Sequence, residues 1–583
     1  MSAWPAVAGF PTRRWRRFAQ PYARAPAAVG RDRVKGEPTL RDQMTTRVAV
    51  AAIVGLTLLA LVPSLFTREP WNPDEPRAAE VAREMIVLKN YLVPHLNGRP
   101  YSDKPPMFYW AASVFWRLGF GLNSGRMVSL VATMGMSLAL YALGRRLHSP
   151  ALGLLAAAIT LSALLTAMIC RYGVLDPLLT LFTTLSLACA VRAFEGGPAP
   201  GRWWLAAYAA AALALLTKGP VGVAVPLLVS AAYGLARRGV VRKGGWWHLA
   251  GAALFVGLVA AWLVPACISG GRAYAHDILF QQTAGRIGEG AAHANWAYFY
   301  LLQFPIYALP WTLLLVAALV WAWQMRRDPA ALLGAAWVLA VLVFFSLFSG
   351  KRERYLLPLM PGVGLLCARY ILGVMRGEHA PLRWHHGLWR ATFVLLCLSA
   401  VGVGLEVRDF AKDPEVLAEL KSLITPPVVA GTVAAGVAVL AVCVYGLRLP
   451  RGAAGETRRV LAVLAAVAVI SLCLDLAATP ILNQFRSGGE LVRRAGASLA
   501  NAEEVYQYQD DFNGTLNLFT RRLHLPELED EKALRAVLES GRRVAVVIKE
   551  RDAEALKGAM PFRVVATRLV LHRPVSIIAN WKP

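Results

Sequence analysis

Apolar stretches of about 20 residues recur along most of the chain, each long enough to cross a bilayer core as a helix. Thirteen are predicted, over residues 46–66, 124–143, 151–170, 175–193, 203–217, 219–237, 248–268, 298–323, 330–349, 355–374, 388–406, 426–447 and 458–478. They are continuous and rich in Leu and Ala, which argues against the alternating pattern of a β-barrel. Between the first two lies a longer loop, 67–123. In it Ala78, Ala79, Ala82, Met85 and Ile86 recur at helical spacing, predicting a short amphipathic helix lying on the membrane surface. The aromatic stretch "PPMFYWAASVFWRLGFG" predicts a second. After residue 480 the pattern changes. "GGELVRRAGASLA" and "DEKALRAVLES" read as helices, while "EEVYQYQ", "RRVAVVIKE" and "VSIIANW" read as strands. The expected organisation is a basic, disordered cytoplasmic tail (1–43), a transmembrane catalytic region (44–479) and a small α/β domain outside the membrane (480–583).

Composition agrees with a polytopic α-helical membrane protein: 56% of the 583 residues are hydrophobic. The net charge of +26 would suggest nucleic acid in a soluble protein. Here the basic residues cluster in short loops, such as "GRRLHSP", "ARRGVVRKGGWWH", "MRGEHAPLRWHH" and "RLPRGAAGETRR". Thirteen spans starting from a cytoplasmic N-terminus put all of these in the cytoplasm, as the positive-inside rule requires. No nucleic-acid partner is expected. The seven cysteines lie in or beside apolar runs with no metal-ligand spacing, and read as small buried residues. The Arg-rich start is not followed by a signal-peptide pattern, and Met44 is as compatible with a start as Met1.

The opposite face gathers polar residues at the ends of spans. Its carboxylates are Asp74, Glu75, Asp103 and Asp176, and its cations Arg77, Lys104, Lys218, Arg286, Lys351, Arg352 and Arg354, with His293 and Tyr355 beside them. A charge at a membrane boundary is costly unless solvated, paired or functional. Each has a plain structural alternative: a helix-terminal carboxylate for Asp74, Glu75 and Asp176, a surface ion pair with Glu80 or Glu84 for Arg77, a snorkelling end for the lysines, a solvated loop for His293. Trp71, Trp110 and Trp116 read as interface anchors. As a set the residues suit transfer from a phosphate-linked lipid. Cations hold the phosphate and the charge that develops on it, and a carboxylate accepts a proton from the acceptor or orients it.

At these residues the chain resembles the bacterial aminoarabinose transferase (ArnT) family, within the protein O-mannosyltransferase-like GT-C glycosyltransferases. The matching stretches are "DEPRAAEVAREM", "LVPHLNGRPYSDKPP", "RYGVLDP", "TKGP", "HANWAYFYL" and "SGKRERYLLP", in order over residues 71–360. The resemblance implies a GT-C fold in the bacterial inner membrane, with an active site facing the periplasm. It implies an inverting transferase that takes 4-amino-4-deoxy-L-arabinose from undecaprenyl phosphate to a phosphate of lipid A. Asp74 and Asp176 would then be the catalytic carboxylates. Glu75, Arg77, Lys104, Lys218, Arg286, Lys351, Arg354 and Tyr355 would bind the donor phosphate or substrate. No cofactor is demanded, although a divalent metal, zinc or magnesium, is compatible with Asp103 and His293. Two departures stand out: Asp103 replaces the family's Glu before Lys-Pro-Pro, and "SGKRERY" adds two arginines to a less charged form.

Two other readings compete. One keeps the chemistry with another polyprenyl-phosphate sugar, or with a protein or glycan acceptor. The other is a transporter of lipid-linked sugar, for which internal repeats and midplane charges would be expected; the charges here collect at one face.

Overall fold

Every one of the thirteen predicted ranges is helical in the computed structural model, although several are broken. The structure describes residues 40–196, 199–237, 245–280, 295–296, 298–348, 350–410, 424–509, 512–570 and 573–581. The helices in chain order are α1 (Leu40–Thr67), α2 (Asp74–Val87), α3 (Met107–Phe115), α4 (Ser124–Leu147), α5 (Pro150–Ser162), α6 (Leu164–Ile169), α7 (Leu175–Phe194), α8 (Pro200–Lys218) and α9 (Val221–Ala236). They continue with α10 (Trp247–His276), α11 (Phe299–Tyr307), α12 (Thr312–Gln324), α13 (Pro329–Ser346), α14 (Met360–Met375), α15 (His385–Phe410), α16 (Pro426–Arg448), α17 (Ala453–Cys473) and α18 (Thr479–Arg486). By length and composition, eight helical segments among the described residues can cross a membrane, or nine if the bent pair α11–α12 counts as one span.

The breaks have local causes. The predicted span 298–323 folds as α11 and α12, bent by 110°. Pro310 sits in the break; a proline lacks the amide hydrogen a continuing helix needs and disfavours the α region just before it. The span 151–170 divides at Ala163, whose backbone is extended. The Leu164 amide donates to the Leu309 carbonyl at 2.8 Å instead of continuing its own helix, so one break is tied to the other.

Helix α14 runs through the middle of the bundle, almost entirely buried, between α5 and α13. Small residues allow the close approach: Gly364 lies against Thr160 of α5, and Gly153 of α5 lies against the Tyr141 carbonyl of α4. A 3₁₀ segment, Glu353–Leu359, leads into α14 and packs on α7.

Helix α2 does not lie on the surface. It is buried on nearly every side. Ala78, Val81, Ala82 and Met85 pack on Phe108, Tyr109 and Ala112 of α3 and on Val128 and Ala132 of α4. Its other side meets the C-terminal domain, and there Arg83 makes a two-pronged contact with Glu80, at 2.6 and 2.7 Å. The periodicity was that of an amphipathic helix; what covers its polar side is protein. Trp71 is likewise no interface anchor. It is 7% exposed, and its indole donates to Asn483 at 2.8 Å.

The C-terminal domain is built on a five-stranded sheet, in the order β4-β3-β5-β7-β6. With the short hairpin strands β1 (His95–Leu96) and β2 (Arg99–Pro100) counted first, these are β3 (Glu504–Tyr508), β4 (Glu527–Leu528), β5 (Val544–Lys549), β6 (Arg563–Val570) and β7 (Arg573–Ala579). Strand β5 pairs parallel with β3 and antiparallel with β7. Its side chains alternate: Ala545 and Val547 face Leu491, Ala495 and Leu499, while Val544, Val546 and Ile548 face Leu534 and Leu538. The sheet is thus covered by helices on both sides. Helix α18 continues the membrane-length segment Ala453–Arg486, so the domain begins a few residues later than the predicted boundary at 480.

This domain grips the 67–123 loop. Asn97 and Gly98 both have positive φ (55° and 72°), forming the tight turn between β1 and β2. From that turn the Asn97 side chain accepts from the Leu525 amide (2.7 Å) and the Asn517 amide group (2.8 Å), and donates to the Leu525 carbonyl (3.0 Å).

Candidate active site

Asp74 opens α2, where the unpaired amides of the first turn favour an anion. Its carboxylate meets three guanidinium groups: Arg77 at 2.5 Å one turn on, Arg354 at 2.5 Å and Arg352 at 3.7 Å from the 3₁₀ segment and its approach. Burial pushes the Asp74 pKa up, but Arg354, then Arg77 and Arg352, outweigh it and hold the carboxyl at about 2. Asp74 is therefore ionised at any physiological pH, and as a proton acceptor it is weak.

Asp176 stands in the first turn of α7, 2% exposed, with the Lys218 ammonium from the end of α8 bonded directly to it. Lys218 also lies over the Tyr355 ring, 4.5 Å from its centre. Arg354 feels the charge of both Asp176 and Asp74. Arg354 contacts Asp74 and is near enough to Asp176 to sense its charge, which puts the two carboxylates in one neighbourhood. Among the described residues four cations (Arg77, Lys218, Arg352 and Arg354) contact these two carboxylates.

The remaining expected site residues are placed differently. Glu75 faces away from Asp74. It is 4% exposed and its oxygens are filled by Arg126 (2.9 Å), Arg68 (3.2 Å) and the backbone amides of Trp71 (2.9 Å) and Gly173 (2.8 Å). Burial alone would raise its pKa; Arg126 and Arg68 reverse that and lower it. In this arrangement Glu75 fixes the loop that carries Asp74. Lys351 is also buried, its ammonium donating to the carbonyls of Phe348 (2.5 Å) and Asn295 (3.1 Å). Lys104 donates to the Asp103 carbonyl at 2.9 Å, and the Asp103 carboxylate accepts from the Tyr101 hydroxyl at 3.3 Å. Arg286 and His293 lie outside the described residues. Asp103 is thus the one described member of the expected metal pair, and no step of the chemistry below is routed through a metal.

Several supporting residues were not singled out from sequence. Arg126 holds Glu75, and Arg171 pairs with Asp475 at 3.2 Å. A signal existed: Arg126 and Asp475 sit inside predicted apolar spans and Arg171 just past the end of another, where a charge implies a partner.

Comparison with known proteins bears on this cluster. Residues 103–264 match the family described as dolichyl-phosphate-mannose-protein mannosyltransferase. The chain is 31% identical over 335 residues to an undecaprenyl phosphate-alpha-4-amino-4-deoxy-L-arabinose arabinosyl transferase of Proteus mirabilis, covering 55% of this chain and 60% of that one. It is 33% identical over 359 residues to the transferase of the same description from Pseudomonas aeruginosa, covering 60% of this chain and 64% of that one. The match therefore spans less than two thirds of these relatives' length. In fold the likeness runs further. The crystal structure of ArnT from Cupriavidus metallidurans bound to undecaprenyl phosphate superposes with a TM-score of 0.72 at 20% identity, covering 92% of this chain and 98% of that one. The apo form gives 0.68 at 22% identity, with the same coverage. The helical bundle and the C-terminal sheet domain thus share the fold of the ArnT structures, and the sequence is similar to the aminoarabinose transferases over somewhat more than half of the chain.

Proposed function

We propose that the chain is an inverting glycosyltransferase that moves 4-amino-4-deoxy-L-arabinose from undecaprenyl phosphate to a phosphate of lipid A, on the periplasmic face of the inner membrane. The observation that carries this reading is the cluster in which Arg77, Arg352 and Arg354 meet Asp74 and Lys218 meets Asp176. The similar proteins of Proteus mirabilis and Pseudomonas aeruginosa are arabinosyl transferases named for this sugar and carrier, which supports the choice of both.

In this reading an acceptor oxygen attacks the anomeric carbon from the face opposite the carrier phosphate. The new carbon–oxygen bond forms as the old one breaks, and its electron pair goes to the leaving phosphate oxygen. Lys218, Arg352 and Arg354 are placed to steady that developing charge. Asp74 stays anionic, holds Arg77 and Arg354 in position and offsets positive charge building on the sugar ring. A carboxyl held at about 2 is badly matched to deprotonating a hydroxyl, whose pKa is far higher. A phosphate acceptor is already ionised and needs no base. A phosphate acceptor thus fits the cluster without asking Asp74 to act as a base.

The test is acceptor chemistry. Purified protein with the lipid-linked sugar should modify lipid A bearing phosphates and leave lipid A stripped of both phosphates unmodified, read by mass spectrometry. Equal transfer to the stripped acceptor would replace this reading with a hydroxyl-directed enzyme.

A further inference from the structure

Two basic loops assigned to the same side by charge alone, "MRGEHAPLRWHH" and "RLPRGAAGETRR", meet in space. Between the start of α15, the end of α16 and the start of α17 lies a cavity of about 60 Å³. His386, Arg390, Arg451 and Arg459 line it, with Trp389 and Phe393 as its apolar wall. It belongs to the end of the bundle away from Asp74. Arg354 and Tyr355 precede α14, whereas Tyr370, late in α14, bonds His385 at 3.1 Å beside the cavity. At about 1.5 Å per residue, that helix separates the two ends by roughly 15 Å or more.

The cavity is built around a fixed cation. Arg459 is 5% exposed and donates to Glu456 (2.7 Å) and to the carbonyls of Leu449 (2.7 Å) and Pro450 (3.0 Å). Glu456 is fully engaged, taking Trp389 at 2.8 Å and His385 at 3.1 Å as well. Glu456, His385 and His386 could geometrically hold a metal. Arg459 already neutralises the carboxylate, however, and Trp389 occupies it. The remaining charge is positive. Arg390 and Arg451 have no carboxylate partner among the described residues, and His386 Nδ1 is buried without a hydrogen-bond partner there. The cavity also sits where α16 ends at Arg448 and the next membrane-length segment begins at Ala453, the level at which lipid headgroups lie.

We propose that this cavity is a second anion site, distinct from the Asp74 cluster, which takes the phosphate of an anionic phospholipid headgroup. Arg390 and Arg451 close on its oxygens in the forked geometry that guanidinium offers phosphate. The acyl chains run along the apolar surface of α15 and α16, where Val394, Leu398 and Leu440 are exposed. A pocket of this kind between spans is a recurrent way for proteins to hold acidic lipids. The commitment is to a lipid phosphate rather than a free one, because the site lies at a span end beside exposed apolar side chains.

The test uses the full-length protein, delipidated in detergent and titrated with phosphatidylglycerol, phosphatidylcholine or sodium phosphate, with binding read by native mass spectrometry. Arg390→Ala with Arg451→Ala should weaken phosphatidylglycerol binding at least about fivefold, as losing two interfacial charges implies. Phosphatidylcholine binding should not change, and Arg390→Lys with Arg451→Lys should retain most of the affinity. Should the alanine variant fail to fold, Arg451→Glu on its exposed loop carries the same expectation. Equal phosphatidylglycerol affinity in wild type and variants would overturn the proposal. So would full displacement by an equal concentration of inorganic phosphate, which would make it a free-anion site.

Discussion

Asp74 and Glu75 are adjacent, yet the helix start turns one toward Arg354 and the other into a closed cage of Arg68 and Arg126. Their substitutions should therefore fail in different ways. Glu75→Gln strands two buried guanidinium groups, and breaking a buried ion pair from one side costs about 3–5 kcal/mol. The expected result is a clear fall in unfolding temperature, whereas Asp74→Asn unfolds near wild type; equal stability of the two variants would contradict the cage. Arg354→Ala tests the electrostatics. Without that guanidinium, burial is opposed only by Arg77 and Arg352, and the Asp74 carboxyl rises from about 2. The wild-type charge is present above about 2 and lost only below it, so wild-type activity has no acid limb from Asp74. The acid limb of the variant should move to higher pH, read from the pH dependence of its residual transfer. An unchanged profile would show that Arg354 does not set the Asp74 charge. Sequence pattern brought Asp74, Asp176, Lys218 and Arg354 forward because their charges sit at span ends. It gave Asp74 the catalytic role and Glu75 a substrate-binding one, and missed the cage around Glu75, because which way each neighbour points depends on partners such as Arg126 and Gly173, 51 and 98 residues away.

Helix α2 shows how a periodic pattern can be right about form and silent about surroundings. Alanines at helical spacing specify a face, but the same face suits a lipid surface or a protein one. Its polar side is where the choice becomes visible. Glu84 is buried and faces Glu80, and burial, with Glu80 adding to it, pushes its carboxyl up to about 8 despite the Gly98 amide at 3.0 Å. A carboxyl raised in the fold lends stability below its unfolded pKa, and that stability is lost as pH rises through about 8. Wild type should accordingly lose unfolding temperature between about pH 4.5 and 8, and Glu84→Gln should not. A parallel decline in both would remove Glu84 from the account. The Asn97–Gly98 turn is the second tie between this loop and the sheet domain. Asn97→Ala removes several hydrogen bonds at once, each worth about 0.5–1.5 kcal/mol. Limited proteolysis should then cut the C-terminal domain faster than in wild type; unchanged cutting would show that the domain docks without the turn. The "NG" dipeptide marked that turn in sequence, but nothing local announced that its partner would be Leu525 and Asn517, more than 400 residues on.

The molecule as a whole separates two charged ends. One holds Asp74, Asp176 and the sheet domain; the other holds Glu456, Arg459 and the basic loops. The helical ranges were legible because a bilayer imposes length and hydropathy on each. The breaks at Ala163 and Pro310 were not, because Leu164 finds its partner on another helix. The same separation predicts labelling from outside the cell. In a background without the native cysteines, Glu539→Cys should react with an impermeant thiol reagent in intact cells and Ala453→Cys should not; the reverse would invert the topology. The central claim is that the cluster around Asp74 carries out sugar transfer, and its most direct test is a single comparison. Wild-type and Asp74→Asn protein are placed in liposomes with the undecaprenyl-phosphate-linked sugar and lipid A, and the modified lipid A is followed by mass spectrometry. The account predicts sugar-bearing lipid A from wild type and a rate lower by about 10²-fold or more from the folded variant, as removal of a positioned charge at the reacting centre implies. Wild-type rates from Asp74→Asn, or no sugar on lipid A from either protein, would contradict it.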